Sequence, residues 1–144
     1  MAETEGNLRQ AVPFFRVTNM DASIRFYIDG LGFQMKNKWV SDGTVRWCWL
    51  QRDAVALMLQ DMRTDNGGDW KLEGKPGLGV AITFICKDAL AFYHEVKARG
   101  MNASKPFVGN GMWVTSLNDP DGYHVDFESP TDTAEDTEYS EEKS

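Results

Sequence analysis

The side chains able to do acid–base or ligand chemistry are few and unevenly placed. His124 and Asp126 stand two residues apart, so on a strand they share one face. Such a pair can move a proton without a cofactor, give two ligands to a metal, or hydrogen-bond a small molecule. A catalytic metal wants about three protein ligands, and no third stands beside this pair. The other histidine, His94, has Glu95 and Lys97 around it in a helical stretch and is expected to face solvent. There is no serine elbow, no cysteine beside a histidine and no lysine inside an apolar run. Covalent catalysis is therefore unsupported, and no catalytic residue is assigned. The glycine-rich stretches lack the strand, turn and helix setting of a dinucleotide or phosphate loop. Trp47 and Trp49 are also two apart, and aromatic rings paired on one face can sandwich a flat ligand.

Composition narrows the field. The chain has 144 residues, enough for one domain. Twenty-two acidic residues against 15 basic ones give a net charge of −7, which argues against nucleic acid or membrane as partner. A hydrophobic fraction of 42% with 12% aromatics reads as globular. Cys48 and Cys86 are too few for a disulfide scaffold or a four-cysteine zinc site. Both lie in apolar strand-like runs, and free buried thiols suit the cytoplasm. No signal-peptide pattern follows Met1, and no apolar run nears the roughly 20 residues that span a bilayer. Residues 1–10 are polar and read as a flexible N-terminus. Residues 129–144 hold five of the seven net negative charges, with Tyr139 their one large apolar group. So little can be buried there that the segment is expected to be a disordered acidic tail. An interaction role for that tail is a minority reading.

Between these ends the pattern runs twice. Ala11 to Val17 reads as a buried strand, and Asn19 as the cap of a helix that Gly30 and Gly32 stop. Strands over Gln34 to Val40, Thr44 to Leu50 and Ala54 to Gln60 follow, the first two joined by Ser41-Asp42-Gly43. A glycine-rich connector, 62–79, reads as flexible, with Trp70 as a group that tacks it down or lines a pocket. Then come a strand over Val80 to Cys86, a helix capped by Asp88, and a weak strand over Met101 to Pro106. Strands over Trp113 to Leu117 and His124 to Glu128 close the domain, joined by Asn118-Asp119-Pro120-Asp121-Gly122. Asn19 and Asp88 are 69 apart, Gly32 and Gly100 are 68 apart, and Ala56 and Asp126 are 70 apart. The fold class is thus α+β: two βαβββ modules, about 11–61 and 80–128, in one domain over 11–128.

The residues Phe15-Arg16-Val17-Thr18-Asn19-Met20, Phe26-Tyr27, Leu31-Gly32-Phe33, Lys87-Asp88-Ala89, Lys97-Ala98-Arg99-Gly100 and Asp119-Pro120-Asp121-Gly122-Tyr123, in this order, resemble the vicinal-oxygen-chelate superfamily. That superfamily holds glyoxalase I, extradiol dioxygenases, fosfomycin-resistance enzymes and bleomycin-resistance proteins. The resemblance implies sheets curled around a central hollow with the helices outside, and a homodimer. Its metal-dependent members place four inward ligands, at positions held here by Val12, Ala56, Ala81 and Asp126. Three of those four cannot ligate, and a one-residue slip brings in no donor. No metal or cofactor is therefore expected.

If those positions face the hollow, strand alternation turns Phe14, Arg16, Met58, Thr83, His124 and Asp126 inward as well. Trp47 and Trp49 are assigned to the same lining, while Trp113 and Thr115 share a face of unknown orientation. Arg16 has two readings: a bidentate grip on a ligand anion, or an internal pair with Asp126. An apolar, aromatic hollow with few polar groups suits a small molecule. The resemblance is closest in character to the metal-free bleomycin-resistance proteins, which implies sequestration of an aromatic or cationic ligand and an antibiotic-resistance role. A glyoxalase-like lyase or isomerase, or a dioxygenase, is the alternative.

Overall fold

A computed structural model of the chain describes residues 6–63 and 73–141. The first module contains β1 (Phe14–Arg16), α1 (Met20–Ile24), β2 (Gln34–Ser41), β3 (Thr44–Arg52) and β4 (Val55–Gln60). Its four strands form one sheet in the order β1-β4-β3-β2. The second contains β5 (Ala81–Ile85), α2 (Ala89–Ala98), β6 (Phe107–Gly109), β7 (Met112–Asn118) and β8 (His124–Pro130), in the order β5-β8-β7-β6. The pairs β1–β4 and β5–β8 are parallel, and the hairpin pairs are antiparallel. The α+β class and the repeated module are those the sequence predicts. No helix among the described residues is long and apolar enough to cross a membrane.

Both helices begin where a short polar side chain can take an orphan amide. Asn19 accepts the N–H of Ala22, and Asp88 accepts that of Ala91, each at 3.0 Å. After Ile24 the first helix widens into a π-helical turn, Arg25–Gly30, a change that residue spacing does not signal. Gly32 then leaves it at φ +82°, a backbone angle that a side chain rarely tolerates.

Strand alternation sorts each sheet into two faces. One face carries Phe15, Cys48, Leu50, Leu57 and Leu59 in the first module, and Phe84, Val125 and Phe127 in the second. With Tyr27, Phe92 and Val96 from the helices, these residues form a single apolar cluster spanning both modules. Burial pushes the Cys48 thiol up to about 11, so it stays protonated and inert near neutral pH.

The seam between modules centres on the Asp119-Pro120-Asp121-Gly122 turn. The Asp119 carboxylate accepts the Tyr27 hydroxyl at 2.7 Å and the N–H groups of Asp121 and Tyr123, both at 2.9 Å. Burial raises its pKa, and those three donors act the other way. Asp121 accepts the hydroxyl and N–H of Thr18, and Tyr123 donates to the Arg16 carbonyl while its ring stacks on Phe15 at 3.9 Å. Arg52 crosses the seam to Glu95 with two bonds of 2.9 Å, and donates to the Leu31 carbonyl at 2.7 Å. That guanidinium holds the Glu95 carboxyl below its ordinary range.

Four expectations change. The weak strand over Met101 to Pro106 is not formed; β6 lies at Phe107–Gly109 instead. It forms a hairpin through Asn110 and Gly111, both with positive φ, the pattern of a tight two-residue turn. Gly77 in the connector is a close-packing position rather than a flexible one. It donates to the Asp121 carbonyl at 3.0 Å, and a Cβ there would lie 2.1 Å from the Tyr123 nitrogen. Residues 64–72 of the connector, with Trp70, lie outside the described residues.

The acidic tail is the third change: up to Glu141 it is tied down rather than disordered. Ser129 and Pro130 complete β8, and the segment beyond bonds the β6 region through Thr137 and Tyr139. Tyr139 packs among Tyr93, His94 and Trp113 and shares a 2.8 Å hydrogen bond with His94. Glu135 accepts the N–H groups of Asn110 and Gly111 at 2.9 and 2.6 Å. One aromatic anchor and a row of backbone partners offset the ordering entropy that composition alone leaves unopposed. Lastly, β1 is shorter than Ala11 to Val17, beginning only after Pro13, which has no N–H for a ladder.

Two stability measurements follow from the seam. Tyr27→Phe removes a donor from a buried carboxylate and is expected to cost about 2 kcal/mol in chemical denaturation; no measurable loss would contradict the seam. Glu95 has a depressed pKa, so its contribution exists above the ordinary glutamate range and fades as pH falls through the depressed value. Wild type is therefore expected to exceed Glu95→Gln in melting temperature at pH 7, with the gap closing in strong acid.

Candidate functional site

The face of each sheet turned away from the shared core is open. On the first sheet, Phe14 and Trp49 both pair with Met58, while Arg16 and Trp47 pair with Gln60. Partners across a ladder project to the same side, so these six residues form one wall. Trp39 pairs with Trp47 and extends it. The wall is aromatic and partly exposed: Phe14 is 49% exposed and Trp39 56%.

The open face of the second sheet is built differently. Thr83 stands opposite Asp126 and Ala81 opposite His124, and both are exposed. On the other side of β8, Ser116 faces Asp126 and Asn118 faces His124. The Ser116 hydroxyl donates to Asp126 Oδ1 at 2.6 Å. His124 places Nε2 2.8 Å from that same oxygen and Nδ1 3.1 Å from Asn118 Oδ1. A polar chain thus runs Asn118, His124, Asp126, Ser116. Glu128 continues the acidic strip along β8, and burial, then the nearby Asp126 charge, raise its pKa.

The structure places every predicted lining residue on one of these two open faces. It also corrects one pairing. Asp126 accepts a hydrogen bond from Ser116 and meets His124, both on its own sheet, and the internal pair with Arg16 is not formed. Arg16 instead donates to the carbonyls of Asp61 and Arg63. Trp113 and Thr115 turn to the helix side, where Thr115 donates to the Ala89 carbonyl and Trp113 meets Tyr139. Ser116 and Asn118 were not foreseen. The register across the five-residue turn brings them to Asp126 and His124, and composition does not set that register.

A family model described as Glyoxalase/Bleomycin resistance protein/Dioxygenase superfamily matches residues 9–127. The chain belongs to this superfamily. Among curated protein sequences nothing matches. Among solved structures, a superfamily protein from Nocardioides is similar at 17% identity and TM-score 0.67, over 90% of this chain and 89% of that one. TnmS3, an antibiotic binding protein from Streptomyces sp. CB03234, is similar at 16% identity and TM-score 0.66, over 88% and 100%. TioX from Micromonospora sp. ML1 is similar at 16% identity and TM-score 0.65, over 85% and 98%. At these identities the likeness is one of fold.

The superfamily's metal chemistry is a poor fit to these donors. Val12, Ala56 and Ala81 offer no ligating atom, and Asp126 is already engaged by Ser116 and His124. Among the described residues no group of three or more His, Cys, Asp or Glu side chains could hold a metal ion. Incubation with Fe, Mn, Ni or Zn followed by desalting is therefore expected to leave well under one metal per chain by elemental analysis. A stoichiometric metal that is lost in Asp126→Ala would overturn this.

Proposed function

We propose that the chain is a metal-independent binding protein that sequesters a flat aromatic cation in a hollow built by two copies. The observation that carries this reading is the contrast between the two open faces. One is aromatic, with Phe14, Trp47, Trp49 and Met58; the other presents Asp126, Glu128 and His124. Aromatic faces attract a cation as well as a flat ring, and carboxylates complement its charge. A single chain packs the opposite faces of both sheets into its own core. That leaves the walls uncovered, with Phe14 49% and Ile85 61% exposed. A second copy that sets an aromatic wall against an acidic wall completes a site. The superfamily's bleomycin-resistance members, and an antibiotic binding protein among the similar structures, favour a drug-like ligand.

Light scattering is expected to give a dimer, and calorimetry with bleomycin-type glycopeptides and planar dicationic dyes to give heat with quenching of tryptophan fluorescence. Trp49→Ala should weaken binding roughly tenfold or more, as loss of an aromatic anchor does. A clean monomer, or no heat for any aromatic cation at high micromolar concentration, would sink the proposal.

The His124–Asp126 contact supports a second reading, a glyoxalase-like acid–base enzyme using the same hollow. Turnover of a small carbonyl substrate that vanishes in His124→Gln while binding persists would decide for it.

A further inference from the structure

A cavity of about 600 Å³ lies away from Trp47, Trp49, His124 and Asp126, between the β3–β4 turn and the start of α2. Its floor is formed by the edges of Phe33, Phe84, Phe92 and Phe127, each no more than 8% exposed, with Val55 on one side and Ile85 at the lip. At its mouth two bases, Arg52 and Lys87, stand beside three acids, Asp53, Asp88 and Glu95. Arg52 is held by both oxygens of Glu95, and Lys87 adjoins Asp88, the cap of α2. The cleft is open to solvent at its charged mouth and apolar at its floor, and covering apolar surface with an apolar guest is favourable. The volume is within the range of small-molecule pockets. We infer that this cavity is a second ligand site, for an uncharged aromatic or alkyl molecule held against the four phenylalanines. Its walls come from both modules, since Phe33 and Val55 belong to the first and Phe84, Phe92 and Phe127 to the second. A bound guest therefore also braces the seam.

Ala91 and Cys86 line the cavity and make it testable. The uncharged fluorescent probe N-phenyl-1-naphthylamine is expected to bind saturably, one molecule per chain. Ala91→Phe, which fills the space from the exposed side of α2, should weaken it at least tenfold. Trp49→Ala should leave it within twofold. In the unsubstituted chain, saturating probe should slow N-ethylmaleimide labelling of Cys86 several-fold, a readout that depends on no variant folding; Cys48 is fully buried. The inference is overturned by no saturable signal up to the probe's solubility, or by labelling of Cys86 that the probe leaves unchanged. It is equally overturned by binding lost in Trp49→Ala but kept in Ala91→Phe, which would put the probe in the open-face hollow. Probe affinity that falls as the chain dimerises would mean a second copy fills the cavity, which also overturns it.

Discussion

A buried carboxylate holds the two halves of this molecule together. Asp119 is 5% exposed, and its charge is expensive to bury unless every oxygen is met. Tyr27 reaches it from the first module, and two amides of its own turn supply the rest. The same turn offers Asp121 to Thr18 and Tyr123 to Phe15 and Arg16. These bonds join residues about 90 to 107 apart in sequence, so the turn fixes how one module lies on the other. That docking presses the helix-side faces together and leaves the opposite faces turned out.

Those outward faces divide the chemistry between them. The first sheet supplies rings and a thioether, and the second supplies a His–Asp contact with two neutral polar neighbours. Asp126 meets Ser116 and His124 on its own strand pair rather than Arg16. Net charge points the same way only weakly, because most of it sits in a tail that serves to cover β6 and anchor Tyr139.

The fold was legible because its signals are local and repeated. Asn19 and Asp88 announce the helix starts, and period-two alternation separates Phe15, Leu57 and Phe127 from Phe14, Met58 and Asp126. What the sequence hid depends on long-range register or on a single anchor. Ser116 meets Asp126 only because of how β7 and β8 align across their turn. The tail is ordered because one tyrosine finds three rings, and an acidic composition masks that. The Asn110-Gly111 turn was a readable signal that places β6 correctly. Gly77 looked like slack because nothing nearby in sequence reveals the backbone of Tyr123 against it.

The proposed hollow sets one chain's aromatic wall against another chain's acidic wall. Mixing Trp49→Ala chains with Asp126→Asn chains tests it directly, with calorimetry against a planar dicationic dye as the readout. Each homodimer has every hollow damaged, but a mixed dimer has one hollow intact. Recovery of tight binding at one site per mixed dimer is the predicted result. Mixed samples that bind no better than either variant alone would place both walls in the same chain and contradict a hollow shared between two copies.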